Sequence, residues 1–135
     1  MKIILDTNIL ISASLFGGLS ADILEYCFER HEIIISDFIL DEYSRILENK
    51  FEVPKKVVQS RKRAFINNFT LINPANSIPD FCMDKDDNNI CQLAEFIQAD
   101  FIITGDKEFV SLKNFYKTKI ISPRDFWILK ENIQN

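Results

Sequence analysis

Glycine, histidine, cysteine and long apolar runs are all scarce in this sequence of 135 residues. Three glycines leave little material for the glycine-rich loops that cradle phosphate groups, so any phosphate chemistry must depend on other side chains. A single histidine, His31, argues against a histidine-rich zinc site and against a Ser-His-Asp triad. No stretch reaches the ~18–20 uncharged apolar residues that a membrane-spanning helix needs, so we expect no membrane partner.

The three cysteines, Cys27, Cys82 and Cys91, are odd in number and form no CxxC pair. This usage predicts buried thiols in a reducing compartment, not disulfides or a zinc site. The N-terminal apolar run resembles a signal peptide, but Asp6 interrupts it and no convincing cleavage pattern follows. The expected location is therefore the cytoplasm.

Hydrophobic residues at 47% and charged residues at 27% are typical of an ordinary globular protein. The length predicts a single domain over residues 1–135. The net charge of −4 is unevenly distributed. Between Lys50 and Arg63, six basic residues against Glu52 give a window of +5 and leave −9 for the rest of the chain. Such a run is either a solvated helix face or a contact for a phosphate backbone.

Short apolar runs predict buried strands at 2–5, 32–36, 100–104 and 119–122, with a further short strand at 70–73. Helical spacing of apolar residues predicts helices between them, at 20–30, 37–49, 53–69, 87–98, 107–112 and 123–130, with a loop at 73–83. Ser20 is the expected N-cap of the first of these helices, and Ser36 or Asp37 is the expected N-cap of the second. Pro54 is expected in the first turn of the helix at 53–69. Strands separated by helices predict an α/β fold with a mostly parallel sheet of four to five strands.

Two predicted strands are followed by an aspartate, Asp6 after the first and Asp106 after the strand at 100–104. Because the carboxyl ends of parallel strands meet at one edge of a sheet, we expect these carboxylates to lie close together. Glu42 lies on the apolar stripe of helix 37–49, four residues after Phe38 and four before Ile46. A carboxylate on a buried stripe is costly unless it is paired or bound to a metal.

Asp87 begins the apolar stripe of helix 87–98, and Asp84 and Asp86 lie just before it. Asp86, Asp87 and Asp106 each have a simpler interpretation as a helix N-cap, whereas Asp6 and Glu42 are at no obvious cap. Carboxylates converging on one edge would repel one another and would need cations. An oxygen-only ligand set favours Mg²⁺ or Mn²⁺, whose usual purpose in such a site is phosphoryl chemistry.

Four segments in this order resemble the PIN domain family, over essentially the whole chain. They are Asp6-Thr7-Asn8, the helix SDFILDEYSRIL with Glu42, the segment MDKDDNNICQLA, and the passage ADFIITGDKEF. The resemblance is closest to the short prokaryotic PIN proteins that are toxin components of toxin–antitoxin modules. It implies a three-layer α/β/α sandwich and a Mg²⁺- or Mn²⁺-dependent ribonuclease that acts on single-stranded RNA.

The resemblance also implies roles for particular residues. Asp6, Glu42, Asp87 and Asp106 would be the catalytic and metal-binding acids, with Asn8 and Thr104 as supporting polar residues and with Asp84 or Asp86 sharing the third position. The basic residues expected to contact RNA are Lys55, Lys56, Arg61, Lys62 and Arg63. A small antitoxin protein is the implied partner, and the abundance of Phe and Ile favours a homodimer formed through an exposed apolar patch.

Two other classes are compatible with acids at strand ends. A haloacid-type phosphatase would have DxD after the first strand, where this chain has DTN, and a receiver would have an acceptor aspartate where the strand EIIIS ends in Ser36. A PIN-like module without catalysis, binding RNA or protein, is the third alternative. Such a module would be expected to have lost some of the four acids, and all four are present here.

Overall fold

Six strands and seven α-helices alternate along the part of the chain that the computed structural model describes, residues 1–75 and 85–132. The elements are, in chain order, β1 (Lys2–Leu5), α1 (Thr7–Leu15), α2 (Gly18–Arg30), β2 (Glu32–Ile35), α3 (Asp37–Asn49), α4 (Lys55–Asn68), β3 (Thr70–Leu71), α5 (Lys85–Ile97), β4 (Phe101–Ile103), α6 (Lys107–Ser111), β5 (Asn114–Phe115), β6 (Thr118–Ile121) and α7 (Pro123–Leu129). A short 3₁₀ helix, Lys130–Asn132, follows α7.

The strands form one sheet in the order β3-β2-β1-β4-β6-β5. Every neighbouring pair is parallel except β5 with β6. The chain moves outward from β1 to β3 and then returns to place β4 on the other side of β1. Because crossovers between parallel strands are right-handed, this reversal places α5 on the face opposite α1–α4, which gives three layers. The predicted fold class is therefore confirmed.

The switch in direction occurs between β1 and β4, which is where ligands bind in open α/β sheets. The two strands pair in register, with Leu5 beside Ile103. The apolar residues of β1, Ile3 to Leu5, are buried, as expected for a strand covered on both faces. The residues that follow Leu5 and Ile103 therefore emerge side by side at the carboxyl edge of the sheet.

Among the described strands and α-helices, two were not predicted from the sequence. Helix α1 (Thr7–Leu15) has no single apolar stripe, because Ile9, Leu10 and Ile11 are consecutive and all buried. Strand β5 (Asn114–Phe115) has only two residues, too few for a period to be visible, and it brings the sheet to six strands, not four to five.

Several predicted boundaries are wrong by a few residues. Helix α2 begins at Gly18, so Ser20 lies inside its first turn and is not the N-cap. Helix α4 begins at Lys55, which makes Pro54 its N-cap residue. The N-cap of α3 is Ser36, whose hydroxyl oxygen accepts a hydrogen bond from the Ile39 N–H. Most of the predicted loop at 73–83 lies outside the described residues.

Cys27 and Cys91 are buried, as the sequence predicted, while Cys82 lies outside the described residues. Burial raises the pKa of the Cys27 thiol to about 12. Within the described ranges, no single helix is long and apolar enough to cross a bilayer. Helices α1 and α2 reach that length and composition only together, as a pair bent by 111°.

Candidate active site

A cleft of about 160 Å³ opens at the carboxyl edge of the sheet, and its walls are strongly acidic. The residues that line it are Asp6, Asn8, Glu42, Ile46, Asp86, Asp87 and Asp106. The four acids singled out from the sequence therefore share one site, together with Asn8 and Asp86. Asp84 lies outside the described residues.

Asp6 and Asp106 are connected through Thr104, which is fully buried. The Thr104 hydroxyl donates a hydrogen bond of 2.6 Å to Asp6 Oδ2 and accepts one of 3.1 Å from the Asp106 N–H. The pairing of β1 with β4 positions these groups, because the Asp6 N–H also donates to the Ile103 carbonyl oxygen at 2.9 Å. Thr104 was expected to be a supporting polar residue, and in the structure its hydroxyl contacts the Asp6 carboxylate directly.

Asp6 occupies the N-cap position of α1, which the sequence did not reveal. Its carboxylate makes no capping hydrogen bond of standard geometry, although the Thr7 and Asn8 amides lie near enough to lower its pKa. Burial raises the pKa of Asp6, and the charge of Asp106 adds to the rise. The Thr104 hydroxyl and the backbone amides of Thr7 and Asn8 act in the opposite direction. The carboxylate is thus held in place by hydrogen bonds but is short of positive charge.

Glu42 is buried, as its place on the apolar stripe of α3 predicted. Burial raises its pKa to about 7. A hydrogen bond between the carboxyl groups of Glu42 and Asp86 contributes, as do the charges of Asp86 and Asp6. The Thr7 hydroxyl lowers the pKa of Glu42. This hydroxyl oxygen is buried, and it has no hydrogen-bond partner of standard geometry among the described residues. Two neighbouring carboxyl groups repel each other when both are charged, which is why Asp86 helps to raise the pKa of Glu42.

Asp86 and Asp87 both lie in the first turn of α5, so the N-cap interpretation of these two residues is wrong. Negative side chains are favourable there because the helix N-terminus carries a partial positive charge. Asp87 is buried at the cleft and Asp86 is exposed beside it.

The N-cap interpretation of Asp106 is confirmed. Its Oδ1 accepts hydrogen bonds from the N–H groups of Glu108, at 2.9 Å, and Phe109, at 3.4 Å. The same side chain also lines the cleft, so capping α6 and facing the other acids are compatible.

The chemistry of the donor set fits a hard divalent cation, since carboxylate oxygens and the Asn8 side-chain amide line the cleft. Among the described side chains, no Lys or Arg forms an ion pair with Asp6, Glu42 or Asp106. As the side chains stand, however, no three His, Cys, Asp or Glu groups of the described residues are close enough to hold one metal ion. A cation would have to draw the carboxylates closer together, and it would offset the repulsion between Glu42 and Asp86.

The basic residues of α4 do not line this cleft. Arg61 interacts with the hydroxyl of Tyr43, a residue of α3. The same hydroxyl forms a 2.7 Å hydrogen bond with Ser14 of α1. Lys55, Lys56 and Arg63 are exposed, whereas Lys62 is half-buried. The five basic side chains therefore belong to more than one face of the helix.

Ile46 and Thr7 also belong to the site, and the sequence analysis assigned them no functional role. Ile46 lies one turn after Glu42 on the same stripe, a spacing that was already visible. Thr7 follows Asp6 directly, but nothing in the sequence indicated that its hydroxyl would lie beside Glu42.

Comparisons with known proteins agree with this geometry. Among solved structures, the chain is similar to VapBC2 from Rickettsia felis, whose crystal structure was determined bound to a fragment of its promoter DNA. The TM-score is 0.67 at 19% identity, over 90% of this chain and 98% of that chain, which establishes a likeness of fold. No curated protein sequence matches. The sequence model of the PIN domain matches residues 2–108, well over half of the length, and the chain therefore belongs to the PIN domain family.

Proposed function

We propose that this protein is a divalent-metal-dependent endoribonuclease that cleaves single-stranded RNA and acts as the toxin component of a toxin–antitoxin module. The observation that carries the proposal is the single cleft lined by Asp6, Glu42, Asp87 and Asp106 at the switch point of the sheet. Family membership supports it, since PIN domains are typically nucleases and generally use divalent metals.

In this proposal Asp6, Asp87, Glu42 and Asp106 hold Mg²⁺ or Mn²⁺. The cation would activate water and offset negative charge on the scissile phosphate. The chain's own residues prepare the site for it. Thr104 fixes the orientation of the Asp6 carboxylate, and the Asp106 N–H fixes the Thr104 hydroxyl in turn. Asn8 supplies a neutral polar group at the mouth of the cleft.

Glu42 contributes in two ways. Without a cation, burial and the neighbouring Asp86 favour its neutral form, so it holds a proton below about pH 7. A bound cation would favour the charged form, and this carboxylate would then be one of its ligands. Ile46, one turn further along α3, provides apolar wall beside it and limits access of bulk water.

An RNA strand would enter a cleft whose surroundings are mostly acidic, and basic residues elsewhere would have to offset that charge. Four cations of α4 are exposed, Lys55, Lys56, Arg61 and Arg63. Of these, Lys55, Lys56 and Arg63 are proposed to contact the phosphate backbone, with a smaller contribution from half-buried Lys62. Arg61 is better explained as part of the packing of α4 on α3.

A protein partner is proposed on different grounds. The similar structure of VapBC2 contains a two-protein system. In this chain an apolar groove of about 340 Å³ lies between α2 and α4, with Phe28 exposed along it and Phe65 and Phe69 at its base. Such a groove suits an apolar segment of a small antitoxin, or a second copy of the chain in a homodimer. The cytoplasm is the proposed location.

Cleavage of labelled RNA by the purified protein tests the activity. With Mn²⁺ present, the wild type should cleave a single strand and spare the same sequence in a duplex, and excess EDTA should stop the reaction. Asp6→Asn should be inactive, whereas Asp41→Asn, on the exposed side of α3, should match the wild type. Equal cleavage by wild type and Asp6→Asn would trace the activity to a contaminant.

A non-catalytic binding module is the second candidate, favoured by one observation. No three acidic groups of the described residues are close enough to hold an ion as they stand. RNA binding without any metal-dependent cleavage, at several Mn²⁺ and Mg²⁺ concentrations, would identify the protein as such a module.

A further inference from the structure

Two helices lead from the acidic cleft to the same point on the surface. On α1, Asn8 lines the cleft, and Ser12 and Phe16 follow at intervals of four residues. On α3, Ile46 lines the cleft and Lys50 follows one turn later. The helical hydrogen bonds continue to both ends, from the Phe16 N–H to the Ser12 oxygen and from the Lys50 N–H to the Ile46 oxygen, each 2.9 Å. The distance from Asn8 to Phe16 along α1 is therefore about 12 Å.

An exposed pair of aromatic rings lies where these two helices end. Phe16 is 72% exposed and Phe51 is 37% exposed. Their ring centroids are 6.2 Å apart in an edge-to-face arrangement, and the Lys50 ammonium lies 5.5 Å from the centre of the Phe51 ring. Phe16 is the most exposed phenylalanine among the described residues, whereas most of the other described aromatic side chains are buried or half-buried.

The local sequence keeps Phe16 at this corner. It ends α1, and the next two residues, Gly17 and Gly18, have φ angles of +69° and +60°. Glycine adopts this left-handed backbone at little cost, so the chain turns away directly after the ring. Glu52 has a φ of +53° directly after Phe51, so both rings precede sharp turns.

We propose that Phe16 and Phe51 form a stacking platform for a base of the RNA substrate, with Lys50 contacting the adjoining phosphate. This inference rests on the proposed ribonuclease function and adds a positioning surface to it. Aromatic faces bind bases of any sequence, and a cation beside them suits the backbone. The separation of about 12 Å from the cleft is within the reach of an extended single strand whose phosphate occupies the acidic site.

The surroundings of the pair favour a nucleic acid over a protein. Polar side chains accompany the rings on both helices, since Ser12 lies half-buried one turn before Phe16 and exposed Asn49 precedes Lys50. The groove between α2 and α4, lined by Phe28, is by contrast a mostly apolar surface with a volume of about 340 Å³. A protein segment would bury more apolar surface in that groove, whereas a single base needs only an aromatic face and a nearby cation.

Binding of two labelled strands of equal length separates stacking from charge. One is a single-stranded RNA of mixed sequence, and the other carries the same phosphates without bases. Measurements use an Asp6→Asn background to prevent cleavage. Phe16→Leu should weaken binding of the base-bearing strand by about 5- to 100-fold and leave the abasic strand unchanged. Phe16→Trp should restore binding.

Phe96→Leu is the matched control, because Phe96 is also an exposed phenylalanine and lines neither the acidic cleft nor the groove between α2 and α4. It should bind both strands like the parent, and the thermal melts of all variants should agree. Equal binding by Phe16→Leu and Phe96→Leu would overturn the platform while leaving the ribonuclease proposal intact. An equal loss on both strands, or a loss of self-association without any loss of RNA binding, would also overturn it. If the parent binds neither strand and the wild type cleaves no RNA, both proposals fail together.

Discussion

The hydroxyl of Thr104 joins two strands that are far apart in the sequence by donating a 2.6 Å hydrogen bond to the Asp6 carboxylate. Asp6 follows β1 and Thr104 follows β4, so this bond forms only when the two strands pair in register. The acidic cleft is thus a product of the sheet topology and not of any one segment.

Thr104→Val removes this hydroxyl at nearly constant volume. We expect it to reduce metal-dependent cleavage by about 10- to 100-fold, because groups that orient a metal ligand contribute on that scale. The pKa of Asp6 should rise further, since the Thr104 hydroxyl lowers it. Thr118→Val is the control, because Thr118 is a buried threonine whose hydroxyl donates to the Ala99 carbonyl oxygen and not to an acid. Similar cleavage rates for the two variants would remove Thr104 from the site.

Glu42→Gln should abolish cleavage without weakening the fold. Glutamine keeps the shape of the side chain but removes the charge that burial and Asp86 disfavour. At pH 8 in EDTA we expect the free energy of unfolding to rise by about 1–3 kcal/mol. Glu48→Gln, a half-buried position on the same helix that accepts a hydrogen bond from Ser44, should leave cleavage intact. A much less stable Glu42→Gln protein would indicate a structural role for this carboxylate.

The pH dependence of stability follows from the same residue. The pKa of Glu42 is about 7 in the folded chain against an ordinary value of 4.5, so the folded state binds more protons between those two pH values. In the absence of metal the free energy of unfolding should therefore fall as pH rises from about 4.5 to 7, and the raised pKa of Asp6 acts in the same direction. Denaturant titrations at pH 5 and pH 8 measure the difference, which should be smaller in Glu42→Gln.

The basic residues of α4 give a prediction about salt. On an Asp6→Asn background, Lys55→Glu combined with Lys62→Glu should weaken binding of a single-stranded RNA. Each phosphate contact that is lost should flatten the log–log salt plot by ~0.7. Arg61 is left unchanged because it interacts with Tyr43. Parallel salt plots for variant and parent would show that these lysines only solvate the helix.

Much of the fold could be predicted from the sequence because its signals are local. The bounds of α3 (Asp37–Asn49) were predicted correctly from one apolar stripe and a serine cap, and the buried strands from their isoleucine runs. Helix α1 was missed because it is apolar on several faces, so periodicity carries no information there. Strand β5 was missed because two residues cannot display a period.

The candidate site was partly predictable for a related reason. Asp6 and Asp106 follow strands and Glu42 interrupts an apolar stripe, and each of these patterns is visible locally. The carboxyl–carboxyl contact of Glu42 with Asp86 and the place of Thr7 beside it depend on how α3, α5 and α1 meet. Contacts between side chains of three separate helices leave no pattern in a single sequence.

The most direct test of the account is whether the cleft holds a divalent cation, since this does not depend on knowing the RNA target. Thermal melts with EDTA and with Mn²⁺ at a hundredfold excess over its dissociation constant should differ by about 2.7 kcal/mol of stability in the wild type. Asp6→Asn should lose most of this gain and Asp41→Asn should keep it. Identical wild-type melts in EDTA and in millimolar Mn²⁺ would contradict the account.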